Sequence, residues 1–181
     1  MKLIGKRIYI KILAPDDVSD AYVAWMNDPE INQFLESRFR IQTMESVRAF
    51  VEAMNNSSVD AMFGMFLNDS HEHIGNIKIG NIDTFHRRAE VGLVVGNRAM
   101  WGKGYAAEAI ALVTKYGFEE LNLNKLTAGM YAENMGSYKA FLKCGWRHVG
   151  TLKEHCFSHG KYSDEFVVEI CKSEYEQGNA A

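Results

Sequence analysis

The sequence predicts a mixed α/β sandwich in which a mostly antiparallel sheet is flanked by helices. One observation is a continuous apolar run from Val91 to Val95, followed by helical periodicity and then by a strand pattern over Leu123 to Met130. This order is typical of a parallel β-α-β crossover. The other observation is that strand patterns before and after this unit follow one another directly, as in antiparallel hairpins. A chain of 181 residues fits one domain, 1–181.

The N-terminal part of the chain predicts one strand and three helices. Residues Lys2 to Leu13 alternate imperfectly between apolar and polar side chains, as expected for a strand. The turn at residues 14–17 contains Asp16 and Asp17, which would cap the first helix. The three helices are expected over Val18 to Met26, from Pro29 to Phe34 or Leu35, and over Thr43 to Met54 with Phe50 on the apolar face.

The centre of the chain predicts a hairpin and then the crossover. Strands over Ala61 to Leu67 and His73 to Ile82 flank a turn at residues 68–70. Because Val91 to Val95 is apolar throughout, we expect a strand covered on both faces. The helix of the crossover then presents one apolar face formed by Ala106, Ala109, Ile110, Val113, Gly117 and Leu121.

The C-terminal part predicts a short helix and two closing strands. Asn134 can cap a helix that extends to Cys144, and Gly145 suits the position after its end. The strands are expected over Trp146 to Leu152 and Tyr162 to Cys171. The polar segment Ser173 to Ala181 is expected to be a frayed tail.

The composition excludes several classes of protein. A formal net charge of −3 argues against a general nucleic-acid binder, and no apolar run is long enough to span a membrane. The N-terminus lacks the pattern of a signal peptide. The three cysteines show no C-x-x-C spacing, which favours reduced thiols. We therefore predict a cytoplasmic protein without nucleic-acid or membrane partners.

Two glycines stand between the central strand and its helix, in Trp101-Gly-Lys-Gly-Tyr-Ala106. Glycines at 102 and 104 allow backbone N–H groups to converge, and the helix that follows adds the positive end of its dipole. This arrangement suits an anion such as a pyrophosphate. The loop matches neither a P-loop nor the complete dinucleotide fingerprint. Glycines that serve only as turn residues are the alternative interpretation.

This loop and a second motif resemble the GNAT superfamily of N-acetyltransferases. The loop resembles the pyrophosphate motif [Q/R]-x-x-G-x-[G/A], with Trp101 at the first position as in the RimJ/RimL-type branch. The second motif, Asn134-Met-Gly-Ser-Tyr-Lys-Ala-Phe-Leu-Lys-Cys-Gly-Trp146, is similar to N-x-x-[SA]-x-x-x-[YF]-x-x-x-G-[FW]. The resemblance extends over nearly the whole chain in the order of its elements.

The resemblance implies acetyl-CoA as cosubstrate and transfer of its acetyl group to an amine. Backbone groups of the central strand would pair with the pantetheine arm, and the glycine loop would bind the pyrophosphate. The residues expected to bind the cofactor are Leu93, Val94, Val95, Trp101, Gly102, Lys103, Gly104, Tyr105, Ala106, Asn134, Ser137, Phe141 and Lys143.

The resemblance also suggests the groups that move protons. Glu90 is the candidate base, because the family often has a base at the start of this strand; a simple ion pair with Arg87 or Arg88 is the alternative. Many relatives have a tyrosine acid where this chain has Phe141. Tyr138 is the candidate acid, with a purely packing role as the alternative.

The acceptor of the acetyl group is left open by the sequence. Glu36, Arg38, His86 and Tyr162 lie on segments expected to flank the acceptor cleft. The acceptors that compete are a protein N-terminal amine, a polyamine and an amino sugar carried on a nucleotide. A polyamine requires a cleft lined by carboxylates, whereas a nucleotide sugar requires basic and aromatic groups.

Further features carry simpler interpretations. His71 and His73 lack an identifiable third ligand, so we interpret them as surface histidines and predict no metal. An edge strand near the C-terminus is compatible with a homodimer. A non-catalytic module that binds coenzyme A is the alternative to an enzyme, and the absence of a tyrosine at position 141 is its only support.

Overall fold

The structure, a computed structural model, describes residues 1–158 and 160–179, without the side chain of Asn179. Within these residues, eight strands form one sheet in the order β1-β2-β3-β4-β5-β6-β8-β7. The strands are β1 (Lys2–Ile4), β2 (Ile8–Ile12), β3 (Ala61–Leu67), β4 (His73–Asp83), β5 (Arg88–Val95), β6 (Lys125–Tyr131), β7 (Arg147–Ser158) and β8 (Lys161–Cys171).

Helices cover both faces of this sheet. They are α1 (Asp20–Asn27), α2 (Pro29–Asn32), α3 (Met44–Asn56), α4 (Tyr105–Glu119), α5 (Met135–Lys143) and α6 (Lys172–Asn179). Short 3₁₀ turns lie at Pro15–Asp17, Glu36–Phe39 and Arg98–Met100. None of the described helices combines the length and apolar character that crossing a membrane requires.

The pairing of the strands confirms the predicted fold class. Every pair of neighbours is antiparallel except β5 and β6, which are parallel and are connected through α4. The predicted hairpin is also present, since β3 pairs with β4 along its length. The β-α-β crossover therefore lies in the middle of an otherwise antiparallel sheet.

A separate apolar core packs on each face of the sheet. The larger core places Ala109, Ile110 and Val113 of α4 against the sheet. The smaller core packs Val47 and Val51 of α3 against the opposite face. Phe50, expected on that apolar face, is instead 45% exposed. Each core removes apolar surface from water, which is the main favourable contribution to folding.

The start of the chain differs from the prediction of one long strand. Residues Lys2 to Leu13 form two antiparallel strands, because the N–H of Gly5 donates to the carbonyl of Ile8 at 2.8 Å and closes a tight hairpin. The first helix is capped by Ser19, whose hydroxyl accepts from the N–H of Tyr22 at 3.2 Å. The Asp17 carboxylate instead accepts from the N–H of Ala14, within its own turn.

The central strand β5 is covered on one face rather than on both. Ala89 and Val91 are buried in the larger core, whereas the alternating Arg88, Glu90 and Gly92 are exposed. The prediction was wrong because the apolar run after Val91 lines an open cleft as well as the core. An apolar ligand surface and a buried core have the same sequence pattern.

The C-terminal segment is helical where a frayed tail was predicted. Helix α6 packs through Tyr175, whose ring lies 5.2 Å from that of Phe118. The Glu174 carboxylate accepts from the N–H of Cys171 and from Nε of Arg147, both at 2.8 Å. These contacts fix the helix to the sheet. The predicted frayed segment also includes Ala180 and Ala181, which lie outside the described residues.

His73 is half-buried among aromatic rings, so its interpretation as a surface histidine was wrong. Its ring stacks on Phe66 with centroids 4.7 Å apart and contacts Trp25 edge-on at 5.1 Å. Its Nε2 lies 2.9 Å from Oδ1 of Asn76, while Nδ1 has no partner among the described residues. Burial lowers the pKa of His73, against the opposing effect of its hydrogen bonds to Asn76 and Gly75.

We expect His73 to make the free energy of unfolding depend on pH. Below the ordinary histidine pKa of about 6.5, the unfolded chain binds a proton that the folded chain resists, so stability is lost as pH falls. His73→Gln should reduce the slope of the free energy of unfolding against pH by up to about 1.4 kcal/mol per pH unit. Urea unfolding at several pH values between 7.5 and 5 measures this slope for the wild type and for the variant. His71→Gln, which removes an exposed imidazole, should keep the wild-type slope. An unchanged slope in His73→Gln would contradict the assignment.

Candidate active site

The cleft begins where the two parallel strands separate. β5 and β6 are paired from Arg88 with Lys125 to Glu90 with Thr127, and their described pairing ends there. Both strands continue for several residues, β5 to Val95 and β6 to Tyr131. The edge of β5 that faces β6 therefore offers unpaired N–H and C=O groups, which an extended amide chain can bind.

A first cavity of about 380 Å³ opens along this free edge of β5. Trp101, Gly104 and Tyr105 lie on one wall, and the N-terminal end of α5 lies on another. A third wall comes from α2 and the residues after it, including Glu30 and Phe34. This cavity contains the predicted cofactor residues Leu93, Val94, Val95, Trp101, Gly102, Gly104, Tyr105, Ala106, Asn134 and Ser137.

Arg98 connects two walls of this first cavity. Its guanidinium forms ion pairs with Asp28 and Glu30, which lie at the start of α2. A hydrogen bond from Arg98 lowers the pKa of the Asp28 carboxyl. The ion pairs hold the helix against the segment before Trp101, and they balance the negative charge of Glu30, which lines the cavity.

The glycine loop has the backbone that an anion site requires. Gly102 and Gly104 have φ values of +71° and +84°, in the left-handed region that favours glycine. Gly104 is also the residue that caps α4, so the first N–H groups of the helix point toward the loop. The positive end of the α4 dipole is therefore directed at the cavity.

An arginine from the β1–β2 hairpin supports this loop. Nη1 of Arg7 donates to the carbonyl of Lys103 at 2.8 Å, and its Nε donates to Glu108 in the first turn of α4 at 3.0 Å. Oε1 of Glu108 also accepts from the N–H groups of Arg7 and Ile8. Burial raises the pKa of Glu108, but these hydrogen bonds outweigh it and hold the pKa below its usual range.

Trp101 and Asn134, which line the first cavity, each form a specific hydrogen bond with the backbone. The indole N–H of Trp101 donates to the carbonyl of Val95 at 2.7 Å, at the end of the free edge. Oδ1 of Asn134 accepts from the N–H of Ser137, as predicted for the cap of α5. Gly145, with φ of +81°, ends that helix as expected.

A second cavity of about 600 Å³ continues from the first. Both are lined by Phe34, Leu35, Leu93, Asn134 and Ser137, so they form one continuous cleft. The second cavity lies against β6, β7 and β8. Its lining contains two carboxylates and several aromatic rings, from Glu36, Glu165, Phe34, Phe39, Tyr131, Phe141 and Phe157.

A hydrogen-bonded group closes one side of the second cavity. The hydroxyl of Tyr131 donates to Oε1 of Glu36 at 2.8 Å and accepts from Nη2 of Arg38 at 2.7 Å. The same guanidinium donates to the carbonyls of Leu35 and Phe157. Burial, followed by the hydrogen bond to Glu36, raises the pKa of Tyr131 against the lowering effect of Arg38.

The opposite side of the second cavity holds an imidazole and a carboxylate. Nε2 of His155 lies 3.2 Å from Oε2 of Glu165. Glu165 extends over the backbone of β6 at Gly129, where an added Cβ would overlap its carboxylate. Cys156 lies beside this pair, and burial together with the charges of Glu165 and Glu36 raises the pKa of its thiol.

The structure places the two predicted proton-transfer residues outside the lining of both cavities. The Glu90 carboxylate accepts from Nδ2 of Asn81 at 2.9 Å on the exposed face of β5. Among the described contacts, Arg88 pairs with Asp83 instead of Glu90. Tyr138 packs its ring on His148 and Phe166, so the packing interpretation describes it better than the acid role.

The other predicted residues are distributed around the cleft. Glu36 and Phe141 line the second cavity, and Arg38 contacts its wall through Tyr131. Tyr162 lies one side chain away, stacked edge-on against Phe157. The remaining three, Lys103, Lys143 and His86, are exposed and line neither cavity.

Several residues of the cleft were missed from the sequence. Tyr131, His155, Cys156 and Glu165 lie on β6, β7 and β8, for which the sequence predicted strands but no side chains directed at a site. Tyr131 is the last residue of β6 and precedes the Asn134 motif by three positions, which was an available signal. His155 lies in the part of β7 that extends beyond the predicted strand end at Leu152.

Comparison with known proteins finds one matching family profile and several relatives of similar sequence. The profile described as "Acetyltransferase (GNAT) domain" matches residues 7–147. The chain is 27% identical to the uncharacterized N-acetyltransferase p20 of Bacillus licheniformis, covering 96% of this chain and 97% of that protein. It is 32% identical to the spermidine N(1)-acetyltransferase of Escherichia coli K12 over 58% of this chain and 55% of that one.

The fold is also similar to solved structures. The spermidine N-acetyltransferase from Vibrio cholerae, solved in complex with CoA and spermine, superimposes with a TM-score of 0.84. That likeness covers 94% of this chain and 98% of the other at 22% sequence identity.

Gly104→Val should weaken acetyl-CoA binding by about ten- to a hundredfold, since a β-branched residue at this positive φ costs about 1–3 kcal/mol or displaces the loop. Isothermal titration calorimetry measures the affinity. Gly150→Val is the matched control, because a Cβ there meets open space at an ordinary φ. Its affinity should equal that of the wild type. Wild-type affinity in Gly104→Val would contradict the loop assignment.

Arg7→Met should weaken acetyl-CoA binding by about tenfold, or about 1.4 kcal/mol, because the loop loses its hydrogen bond at Lys103 and its ion pair with Glu108. Lys6→Met, a neighbouring exposed cation, is the control for general charge effects. Equal losses in both variants would show that charge, rather than loop support, determines the affinity.

Proposed function

This chain belongs to the GNAT acetyltransferases, and we propose that it transfers the acetyl group of acetyl-CoA to a primary amine of a polyamine. The observation that carries the choice of acceptor is the lining of the second cavity. Its two carboxylates, Glu36 and Glu165, lie among aromatic rings. Carboxylates and aromatic faces together attract alkylammonium groups.

The first cavity fits the cosubstrate. The positive end of α4 and the left-handed glycines suit the pyrophosphate, and the unpaired edge of β5 suits the amide groups of the pantetheine arm. The residues we propose to bind it are those of the glycine loop, Leu93 to Val95, Asn134 and Ser137. Lys103 and Lys143 are exposed near these elements and are proposed to meet phosphate groups from solvent.

The basic groups that would favour a nucleotide sugar are not available in the second cavity. Arg38 is 12% exposed, and its guanidinium donates to Tyr131 and to two backbone carbonyls. Among the described lining residues, His155 carries the one basic side chain. Arg38 also lies 3.5 Å from the Glu36 carboxylate, and His155 lies 3.2 Å from that of Glu165, so a nucleotide phosphate would meet two carboxylates whose cationic neighbours are already engaged.

The relatives support a small amine without deciding among amines. The spermidine acetyltransferase matched above shares 32% identity over part of the chain. If this chain acts alike, Glu36 would receive one ammonium group while another amine is acetylated. A protein N-terminal amine carries one charge at that end, so it would use only one of the two carboxylates.

The reaction is a direct transfer in a ternary complex. The neutral amine attacks the thioester carbonyl carbon, the new C–N bond forms, and the C–S bond breaks. One proton of the ammonium group leaves before the attack, and a second is transferred to the departing thiolate or to water. Phe141 is buried and carries no acidic proton, so the thiolate is reprotonated elsewhere. Holding the two reactants in contact supplies most of the rate gain.

We also propose the RimJ/RimL-type branch, supported by Trp101, and a cytoplasmic location, supported by three unpaired cysteines. A homodimer is proposed through β7, which is an edge strand with exposed Val149 and Leu152. The net charge of −3 supports the proposal that nucleic acid is not a partner.

Acetyl-CoA consumption should be fastest with spermidine or spermine in a panel that also holds peptides with free N-termini and amino-sugar nucleotides. Free-thiol release measures the rate for each amine. Glu36→Gln should raise the KM for the polyamine by about tenfold through loss of a charged contact. Glu45→Gln, an exposed carboxylate on α3, should leave the KM unchanged. Turnover confined to the peptides or the amino-sugar nucleotides would overturn the choice of acceptor.

A further inference from the structure

The imidazole of His155, on the wall formed by β7 and β8, has no role in the reaction so far, and its neighbour Glu165 has served only to attract the acceptor. We propose that His155 is the general base that takes the proton from the acceptor ammonium group, and that Glu165 is its positioning residue. The inference rests on the proposed acetyl transfer and adds to it the residue that makes the amine nucleophilic.

The first observation is that both side chains line the cavity proposed for the acceptor. His155 and Glu165 lie on adjacent antiparallel strands, and Nε2 of the imidazole is 3.2 Å from Oε2 of the carboxylate. A carboxylate at this distance favours the proton on Nε2. Nδ1 is then the nitrogen that can accept a proton.

The second observation is that irregular backbone directs His155 into the cavity. The register between β7 and β8 shifts between Leu152 and Cys156, and Glu154 within this interval has φ of +50°. A bulge of this kind rotates the following side chain relative to the regular strand. Residues 153–155 of β7 thereby stand opposite the single residue Asp164 of β8, and His155 is one of the residues displaced from the regular pairing.

The third observation concerns the space that Glu165 occupies. Glu165 lies opposite Tyr131 in the register of β6 and β8, yet its carboxylate extends diagonally to Gly129. Any Cβ at position 129 would overlap Oε1 of Glu165. Glycine at position 129 therefore leaves room for the carboxylate where it lies beside the imidazole, with its side chain 22% exposed.

The pair satisfies the proton balance of the reaction. The ammonium group passes one proton to Nδ1 of His155, and the resulting imidazolium is stabilised by the negative charge of Glu165. The amine lone pair then attacks the thioester, and the second proton is transferred to the thiolate as the C–S bond breaks. The imidazole is 55% exposed, so it can release its proton to solvent before the next cycle.

Other ionisable groups face the same space. Glu36 and Glu165 bring negative charge to it, and the Arg38 guanidinium lies behind Tyr131. The Cys156 thiol and the Tyr131 hydroxyl have raised pKa values and stay neutral near pH 7. Glu90, the base expected from the sequence, lies outside the cavity lining and is hydrogen-bonded to Asn81.

The test compares variants with the amine identified in the panel. His155→Gln should lower kcat/KM by about a hundredfold or more while acetyl-CoA affinity, measured by calorimetry, stays at the wild-type value. His148→Gln, on the same strand but outside both cavities, should keep wild-type kinetics. In His155→Ala, added imidazole should restore part of the rate. The loss of kcat/KM in Glu90→Gln should be smaller than the loss in His155→Gln.

Glu165→Gln separates positioning from simple packing. It keeps the shape of the side chain but removes the charge that stabilises the imidazolium, so the acidic limb of the kcat/KM profile should move to lower pH and kcat should fall. If the acidic limb of the kcat/KM profile stayed at its wild-type pH, the role proposed for Glu165 would be contradicted.

Wild-type kcat/KM in His155→Gln, or a larger loss in Glu90→Gln, would overturn the assignment of the base. These outcomes differ from failure of the proposed function, in which the wild-type protein itself would acetylate no amine.

Discussion

The separation of β5 from β6 after Glu90 and Thr127 is the constraint on which the rest of the molecule depends. Buried strands normally pair all their backbone groups, so an open edge inside a sheet is costly unless something binds there. Each strand remains fully supported on its outer side, β5 by β4 and β6 by β8. The opening is therefore held by the flanking hairpins, and a ligand with its own amide groups can complete the interrupted pairing.

The two ends of the resulting cleft have opposite electrostatic character. At the first cavity, backbone N–H groups and the α4 dipole favour negative charge, and Arg98 balances the nearby Glu30. At the second cavity, Glu36 and Glu165 favour positive charge. An anionic cosubstrate and a cationic acceptor would thus enter from different sides and meet at the shared residues Leu93, Asn134 and Ser137. This separation discourages either ligand from occupying the wrong site.

The sequence predicted correctly several features of the backbone that depend on neighbouring residues, such as a helix cap and turns. The cap at Asn134, the glycine after α5 and the glycine loop depend on residues close together in the chain, and all are present. Tyr131 contacts Glu36 and Arg38, which lie far away in sequence on a 3₁₀ turn. His155 meets Glu165 within one hairpin, but through a register shift that the alternation of residues does not show. A strand pattern also does not distinguish a side chain that lines a cleft from one in the core. The same ambiguity misplaced the exposed face of β5, and His73 was misjudged because its aromatic neighbours lie on two other elements, Tyr22 and Trp25 on α1 and Phe66 on β3.

The hydrogen bond from the Trp101 indole to the Val95 carbonyl has a practical consequence. It places an intrinsic fluorophore on the last backbone group of the open edge, where it is 44% exposed. The other two tryptophans, Trp25 and Trp146, are buried in the two cores and form a constant background. Emission from Trp101 is thus a built-in optical signal for occupancy of the first cavity, and the binding and release of ligands can be followed in real time without a label.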